Sequence, residues 1–308
     1  MRLLNLVALG AAQSAPAAWT YDQHGADWAT GGFPFCAGAP SSSPARAQNQ
    51  WQSPIELPGL AALEPDTNAP PVFSTAPLAP CTPTRITNGH TWEVQFNSSG
   101  CSDPPAHSLA YARRRYHLTQ YHFHSGSEHT VASSGTGAAA AASSSASSAS
   151  SASRSDMELH LVHVDDLTTP AGTRFNLVLG VLLKLAAAGE TPDLDAASLA
   201  ALPQDPYAHF IAPSAGSDYY AYEGSMTTPD CQSAVQWLVL SRPLTVSAAT
   251  LAAFIASVGP GRTDGVPSQA VACAMPGHAF CTYRSAQPLN NRTITTGTLA
   301  SAMRTGQS

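Results

Sequence analysis

The stretch "QYHFHSGSEHTV", residues 120–131, sets His122, His124 and His129 beside Glu128. In an extended strand side chains alternate, so Gln120, His122 and His124 project from one face and Tyr121 and Phe123 from the other. Two imidazoles two residues apart stand side by side, which suits chelation of one metal ion. Further on, "MELHLVHV", residues 157–164, repeats the pattern. Glu158, His160 and Val162 share one face, Leu159 and Leu161 the other. A third imidazole there would complete a three-histidine site. A ligating histidine usually gives its second N–H to an oxygen acceptor, and Gln120 and Glu158 are spaced to orient His122 and His160 in this way.

The residues alone leave a rival open. A single strand histidine is more often packed than coordinating. In addition, His122, His124 and Glu128, followed by Gly135, match the first half of a cupin metal motif. In a cupin-type metal oxygenase Glu128 would itself be a ligand, typically to manganese or iron. Against this, no glycine stands six residues before His122. The second half of that motif, Pro-x-Gly followed by His and Asn, is missing from the sequence.

These residues need strands to carry them, and the chain supplies the signals. "TWEVQF", "RYHLTQYHFH", "FNLVLGVLLKL" and "VQWLVL" are rich in β-branched and apolar residues, and 25 Pro and 22 Gly are spread between such runs. "SAATLAAFIASVG" is the best helix signal, with Ser247 as N-cap and Gly259 as stop. The fold class expected is mostly β with short peripheral helices. Residues 133–156, almost pure Ser, Ala and Gly, offer nothing to bury and read as a low-complexity loop insert rather than a domain boundary.

A length of 308 residues can bury a large core. Charged residues make up 11% and the net charge is −6, which argues against nucleic acid or an acidic membrane surface as partner. The N-terminus combines Arg2, the apolar Leu3 to Ala11 and the small residues "SAPAA", and residues 1–18 read as a secretory signal. No segment approaches the roughly 20 apolar residues of a membrane span. Six cysteines without a CxxC pair fit three disulfides in an exported, secreted or periplasmic protein. Proximity in sequence pairs Cys81 with Cys101 and Cys273 with Cys281. Asn97 and Asn291 begin glycosylation sequons. Residues 19–300 are expected to form one domain, with 301–308 as a tail.

Six stretches occur in order: "QSPIEL", "TNGHTWEVQF", "YHFHSGSEHTV", "MELHLVHV", "GSMTTPDCQSAVQWLVLSRPLTVS" and "YRSAQPLNNR". Together they resemble the α-class carbonic anhydrases over about Trp19 to Arg292, and the secreted algal or bacterial branch in particular. The resemblance implies a large twisted, mixed, mainly antiparallel sheet with a conical zinc cleft. It implies Zn2+ held by His122, His124 and His160, and reversible hydration of CO2 to bicarbonate and a proton by a zinc-bound hydroxide. Glu128 is then not a ligand but accepts a hydrogen bond from Thr227, which aims the hydroxide, and Thr228 helps hold bicarbonate. Val162, Val178, Met226 and Trp237 form the CO2 pocket. His90 is the proton shuttle to buffer, with Tyr21 and Asn88 ordering the water between. Cys36 and Cys231 form the disulfide of the secreted branch. His129 and His163 read as structural, and no chemistry falls to His24, His107, His117, His209 or His278. Family members that have lost a ligand act as binding modules, but here all three histidines, Thr227 and Glu128 are present.

Overall fold

The computed structural model describes residues 19–38, 51–75, 82–96, 101, 105–132, 152–168, 174–195, 205–260 and 267–301. The proposed signal, Cys81, Asn97, residues 133–151 of the insert and most of the tail lie outside these.

Six strands carry the centre of the fold: β1 (Trp92–Gln95), β2 (Arg114–Ser125), β3 (Met157–Thr168), β4 (Arg174–Leu185), β5 (Asp218–Ser225) and β6 (Ser233–Val246). They lie in the order β5-β6-β4-β3-β2-β1 within an 11-stranded sheet. Neighbours among the six are antiparallel except β4 and β6, which are parallel. This is the mixed, mainly antiparallel sheet expected. It is open, unlike the two Greek keys of a cupin jelly roll, and the cupin reading fails on the fold.

The sheet divides two apolar clusters, and strand alternation decides which residue enters which. From β4, Leu177, Leu179, Val181 and Leu183 enter one cluster, while Val178 and Leu182 enter the other. From β6, Leu238 and Leu240 face the first, and Val235, Trp237 and Val239 the second. Burying both faces explains why these strands read as nearly continuous apolar runs. Each buried aliphatic side chain contributes about 1.5–3 kcal/mol.

Two α-helices lie among the described residues, α1 (Pro206–Phe210) and α2 (Ala248–Val258). Ser247 caps α2 by accepting from the Thr250 N–H at 3.0 Å, and Gly259 follows its last turn. Leu251, Phe254, Ile255 and Val258 recur at helical spacing and seal the first cluster.

Ala152 to Asp156, the end of the Ser/Ala stretch, are built into the fold. Ser153 and Arg154 pair with Thr130 and Val131. The Ser127 N–H donates to the Ser155 carbonyl at 2.9 Å, and the Gly126 N–H to the Asp156 carbonyl at 2.8 Å. Disulfides join Cys36 to Cys231, across 195 residues, and Cys273 to Cys281. Cys101 is also disulfide-bonded.

Candidate metal centre

Strand register assembles the three histidines. β2 and β3 are antiparallel with His160 opposite His122 and Glu158 opposite His124. On the far side of β3, His160 faces Gly180 of β4. A Cβ at Gly180 would come within 3.1 Å of Glu158 Oε1, so the glycine leaves room for that carboxylate. One nitrogen of each of His122, His124 and His160 falls within 4.8 Å of the others. His124 and His160 are buried and His122 is 8% exposed.

Each ring's second nitrogen has its own acceptor. His122 Nδ1 lies 2.8 Å from Gln120 Oε1, His124 Nδ1 is 2.6 Å from the Thr282 carbonyl, and His160 Nε2 is 3.0 Å from Glu158 Oε1. A carbonyl or carboxylate oxygen only accepts, so those nitrogens carry the protons. Burial lowers the pKa of all three rings, that of His124 to about 4, against the pull of the Thr282 carbonyl. Neutral rings so oriented turn three bare lone pairs inward, from Nε2 of His122, Nε2 of His124 and Nδ1 of His160. His124 Nε2 is buried without a hydrogen-bond partner among the described residues. Glu128 Oε2 lies 3.5 Å from it. A bare nitrogen lone pair buried without a donor is costly, and a cation held between the three rings would relieve it. The donor set therefore fits zinc, which favours imidazole nitrogen and four-coordination, leaving one position open.

Behind the three histidines, Glu158 also accepts from the His129 backbone N–H at 2.8 Å and stands 2.6 Å from His129 Nδ1. Burial pushes the Glu158 carboxyl up, but His129 and His160 outweigh this and hold it well below the usual carboxylate range. His129 Nε2 continues to the Tyr222 hydroxyl at 2.6 Å.

Glu128 sits on the loop after β2. Its Oε1 accepts from the Arg284 N–H at 2.8 Å. Burial raises its carboxyl to about 7, opposed by His160, the Thr227 hydroxyl and the Arg284 N–H. The fully buried Arg284 also donates to Gln52 Oε1 (2.9 Å), the Ser53 carbonyl (2.7 Å) and the Cys36 carbonyl (2.9 Å). Thr227 is buried and Thr228 half-buried. Their loop is pinned four residues on by the Cys36–Cys231 bridge. Val162, Val178 and Trp237 belong to the second apolar cluster, and Met226 packs against it.

His90 lies in a turn capped by Asn88, whose Oδ1 accepts from the Thr91 N–H at 3.2 Å. Its ring is 4.9 Å from that of Trp19 and 6.0 Å from that of Tyr21. It is 9% exposed, more enclosed than an open shuttle position, and burial lowers its pKa to about 3. The buried Tyr21 hydroxyl has no partner among the described residues. The polar supports Thr282, Arg284 and Gln269 escape sequence reasoning. Arg284 lies inside the stretch "YRSAQPLNNR", but Thr282 acts through a carbonyl that every residue type has.

A family model described as "Eukaryotic-type carbonic anhydrase" matches residues 39–298. A carbonic anhydrase of Nostoc sp. is 28% identical over 179 residues, which are 55% of this chain and 54% of that protein. The chain thus spans about half the length of that relative. Human mitochondrial carbonic anhydrase 5A is 29% identical over 240 residues, 66% of this chain and 69% of the human protein. The α-carbonic anhydrase of Thermovibrio ammonificans, solved with sulfanilamide, superposes with a TM-score of 0.57 at 23% identity, covering 91% of this chain and all of that one. With the sheet, the triad and a match over residues 39–298, the chain belongs to the eukaryotic-type carbonic anhydrase family.

Proposed function

We propose that this chain catalyses the reversible hydration of CO2 to bicarbonate and a proton, with zinc held by His122, His124 and His160. The observation that carries the proposal is the convergence of three neutral imidazoles, each with its outer nitrogen tied to a separate oxygen acceptor. A zinc ion held by these three residues would act as a Lewis acid and supply an ionised water as nucleophile near neutral pH.

The chain's own residues do the rest. Thr227 donates its hydroxyl proton to Glu128, so its oxygen can only accept from the attacking group and thereby aims a lone pair at carbon. Val162, Val178, Met226 and Trp237 offer CO2 a water-poor wall, and Thr228 holds the bicarbonate. Tyr21 and Asn88 order the path to His90, which passes the proton to buffer. Burial works against that last step by making His90 a weak base.

Export fits the same reading. The disulfides favour an oxidising compartment. No helix among the described residues is long and apolar enough to cross a membrane. We assign residues 1–18 as a signal and Asn97 and Asn291 as glycan acceptors; Asn291 is exposed. Metal analysis with a CO2 hydration assay on the purified chain is the test. One zinc per chain and zinc-dependent hydration are expected. Stoichiometric manganese, or loss of the metal in Glu128→Gln, would place the carboxylate among the ligands and sink the proposal.

A further inference from the structure

His90 does not stand free in its turn. Gln269, 179 residues away in sequence, meets it: Gln269 Oε1 lies 2.7 Å from His90 Nδ1. The same side chain donates from Nε2 to the Trp19 carbonyl at 3.0 Å. Its backbone is fixed as well. The Gln269 N–H donates to the Gly89 carbonyl at 2.7 Å, and its carbonyl accepts from the Tyr21 N–H at 3.1 Å. Gly89 makes the approach feasible, with φ at +97° and only 2.4 Å between a Cβ built there and the Pro267 carbonyl. One residue therefore fastens the turn, the N-terminal segment and the imidazole together.

This geometry settles which nitrogen of His90 carries the proton. The Trp19 carbonyl has no hydrogen to give, so it must face the amide NH2 of Gln269. The amide oxygen then faces His90 and can only accept. In the neutral ring the hydrogen must lie on Nδ1, which leaves Nε2 as the bare, proton-accepting nitrogen. A donated Nδ1–H also makes Nε2 more basic, as it does for the outer partner of a metal-bound histidine. The bond to Gln269 accordingly opposes the burial that weakens His90 as a base.

The geometry assigns to Gln269 the role of positioning residue for proton transfer: it holds His90 as the Nδ1–H tautomer with Nε2 available to receive the proton. This rests on the reading of His90 as the relay, and the test separates the two. Nitrogen-15 NMR of the zinc-loaded full chain reports the His90 tautomer, with His90→Ala identifying its signals. The unaltered chain is expected in the Nδ1–H form. Gln269→Leu should lose that preference, and Gln269→Glu, which still accepts from Nδ1, should keep it. In dilute buffer Gln269→Leu should slow turnover about fivefold, the effect of one hydrogen bond. kcat/KM for CO2 should change by no more than about twofold, because proton export follows the carbon chemistry. An Nε2–H ring in the unaltered chain, or a tautomer indifferent to Gln269→Leu, overturns the assignment. A tautomer that follows Gln269, with turnover unmoved by His90→Ala, overturns the relay reading instead.

Discussion

His122, His124 and His160 stand on two strands paired with each other, whereas Glu128, Thr227 and His90 stand on loops tied down from far along the chain. The metal half inherits its geometry from a backbone ladder flanked by strands on both sides. The loop half has no continuous ladder and depends on a few scattered tethers, among them Arg284 and Arg154 on the Glu128 loop, Cys36 on Cys231 and Gln269 on His90. A ladder has many bonds and survives the loss of one. A tether does not. Metal content and turnover should therefore be separable by mutation.

The largest contrast lies between the halves. His160→Ala should lose zinc and lower hydration by roughly 10³-fold or more, since the group that supplies the nucleophile goes with the ligand. Thr227→Ala should keep close to one zinc per chain and lose on the order of 10²-fold in turnover, as for removal of one aligned polar group. Zinc loss in Thr227→Ala, measured by elemental analysis beside the rate, would show that the halves are one unit.

Arg284→Lys comes next. A lysine cannot reproduce the guanidinium fork that reaches Gln52, Ser53 and Cys36 at once. Burial lowers the Arg284 pKa only to about 10, so the cation is charged at neutral pH and its bonds are charge-assisted. Leaving two or three carbonyls unpaired should cost about 2–4 kcal/mol in denaturant unfolding. Zinc should remain and turnover should fall, because the Arg284 backbone positions Glu128. An unchanged unfolding midpoint would mean that the tether carries no load.

The same division explains what was legible in the sequence. Alternation along "YHFH" and "MELHLVHV" put His122, His124 and His160 on one face with Gln120 and Glu158, and the register and the hydrogen bonds to His122 and His160 agree with that placement. Ser247 announced its helix by local capping chemistry. Tethers leave no such trace. The third acceptor, Thr282, works through its backbone carbonyl, and no residue type signals that. Arg284 is a fully buried arginine, a state its chemistry rarely permits, so composition argues against it. Gln269 is one glutamine in an irregular segment, meaningful only once the chain has closed on Gly89 and Trp19. Local periodicity was readable, and long-range closure was not.

Acid should act on the scaffold behind the metal half through His163. This ring faces the first cluster, between the Leu177 carbonyl at 3.2 Å and the Tyr207 hydroxyl at 2.8 Å. Burial lowers its pKa to about 4, with the Leu177 carbonyl pulling the other way. The unfolded chain, with an ordinary histidine near 6.5, binds more protons between those values. Its contribution to stability is therefore complete above about pH 6.5 and is lost as pH falls toward 4. The loss is on the order of 3 kcal/mol. His163→Gln should be less stable at pH 7 yet show a flatter acid limb in urea unfolding between pH 7 and 4. An equally steep limb would assign the acid sensitivity to other buried histidines.

The smallest effect is expected from the Ser/Ala stretch, and where it is cut decides the outcome. Loop-closure entropy grows only slowly with the length of a connection, so shortening this one by about 18 residues should change stability by about 1 kcal/mol or less. Residues 134–151 have no titratable or aromatic side chain with which to reach the site. Replacing them with a short Gly/Asn turn should leave zinc content unchanged and the hydration rate within about twofold. Three residues further on the expectation reverses. Arg154 donates to the Ser127 carbonyl and, at 3.3 Å, to the Glu128 carbonyl, and its guanidinium lies 3.7 Å over the Tyr283 ring. Ser155 and Asp156 then zip onto the loop that carries Glu128. Arg154→Ala should therefore lower turnover more than the whole deletion does, while zinc stays bound. A deletion as damaging as Arg154→Ala would show that the stretch itself packs on the site and belongs with the tethers of the loop half.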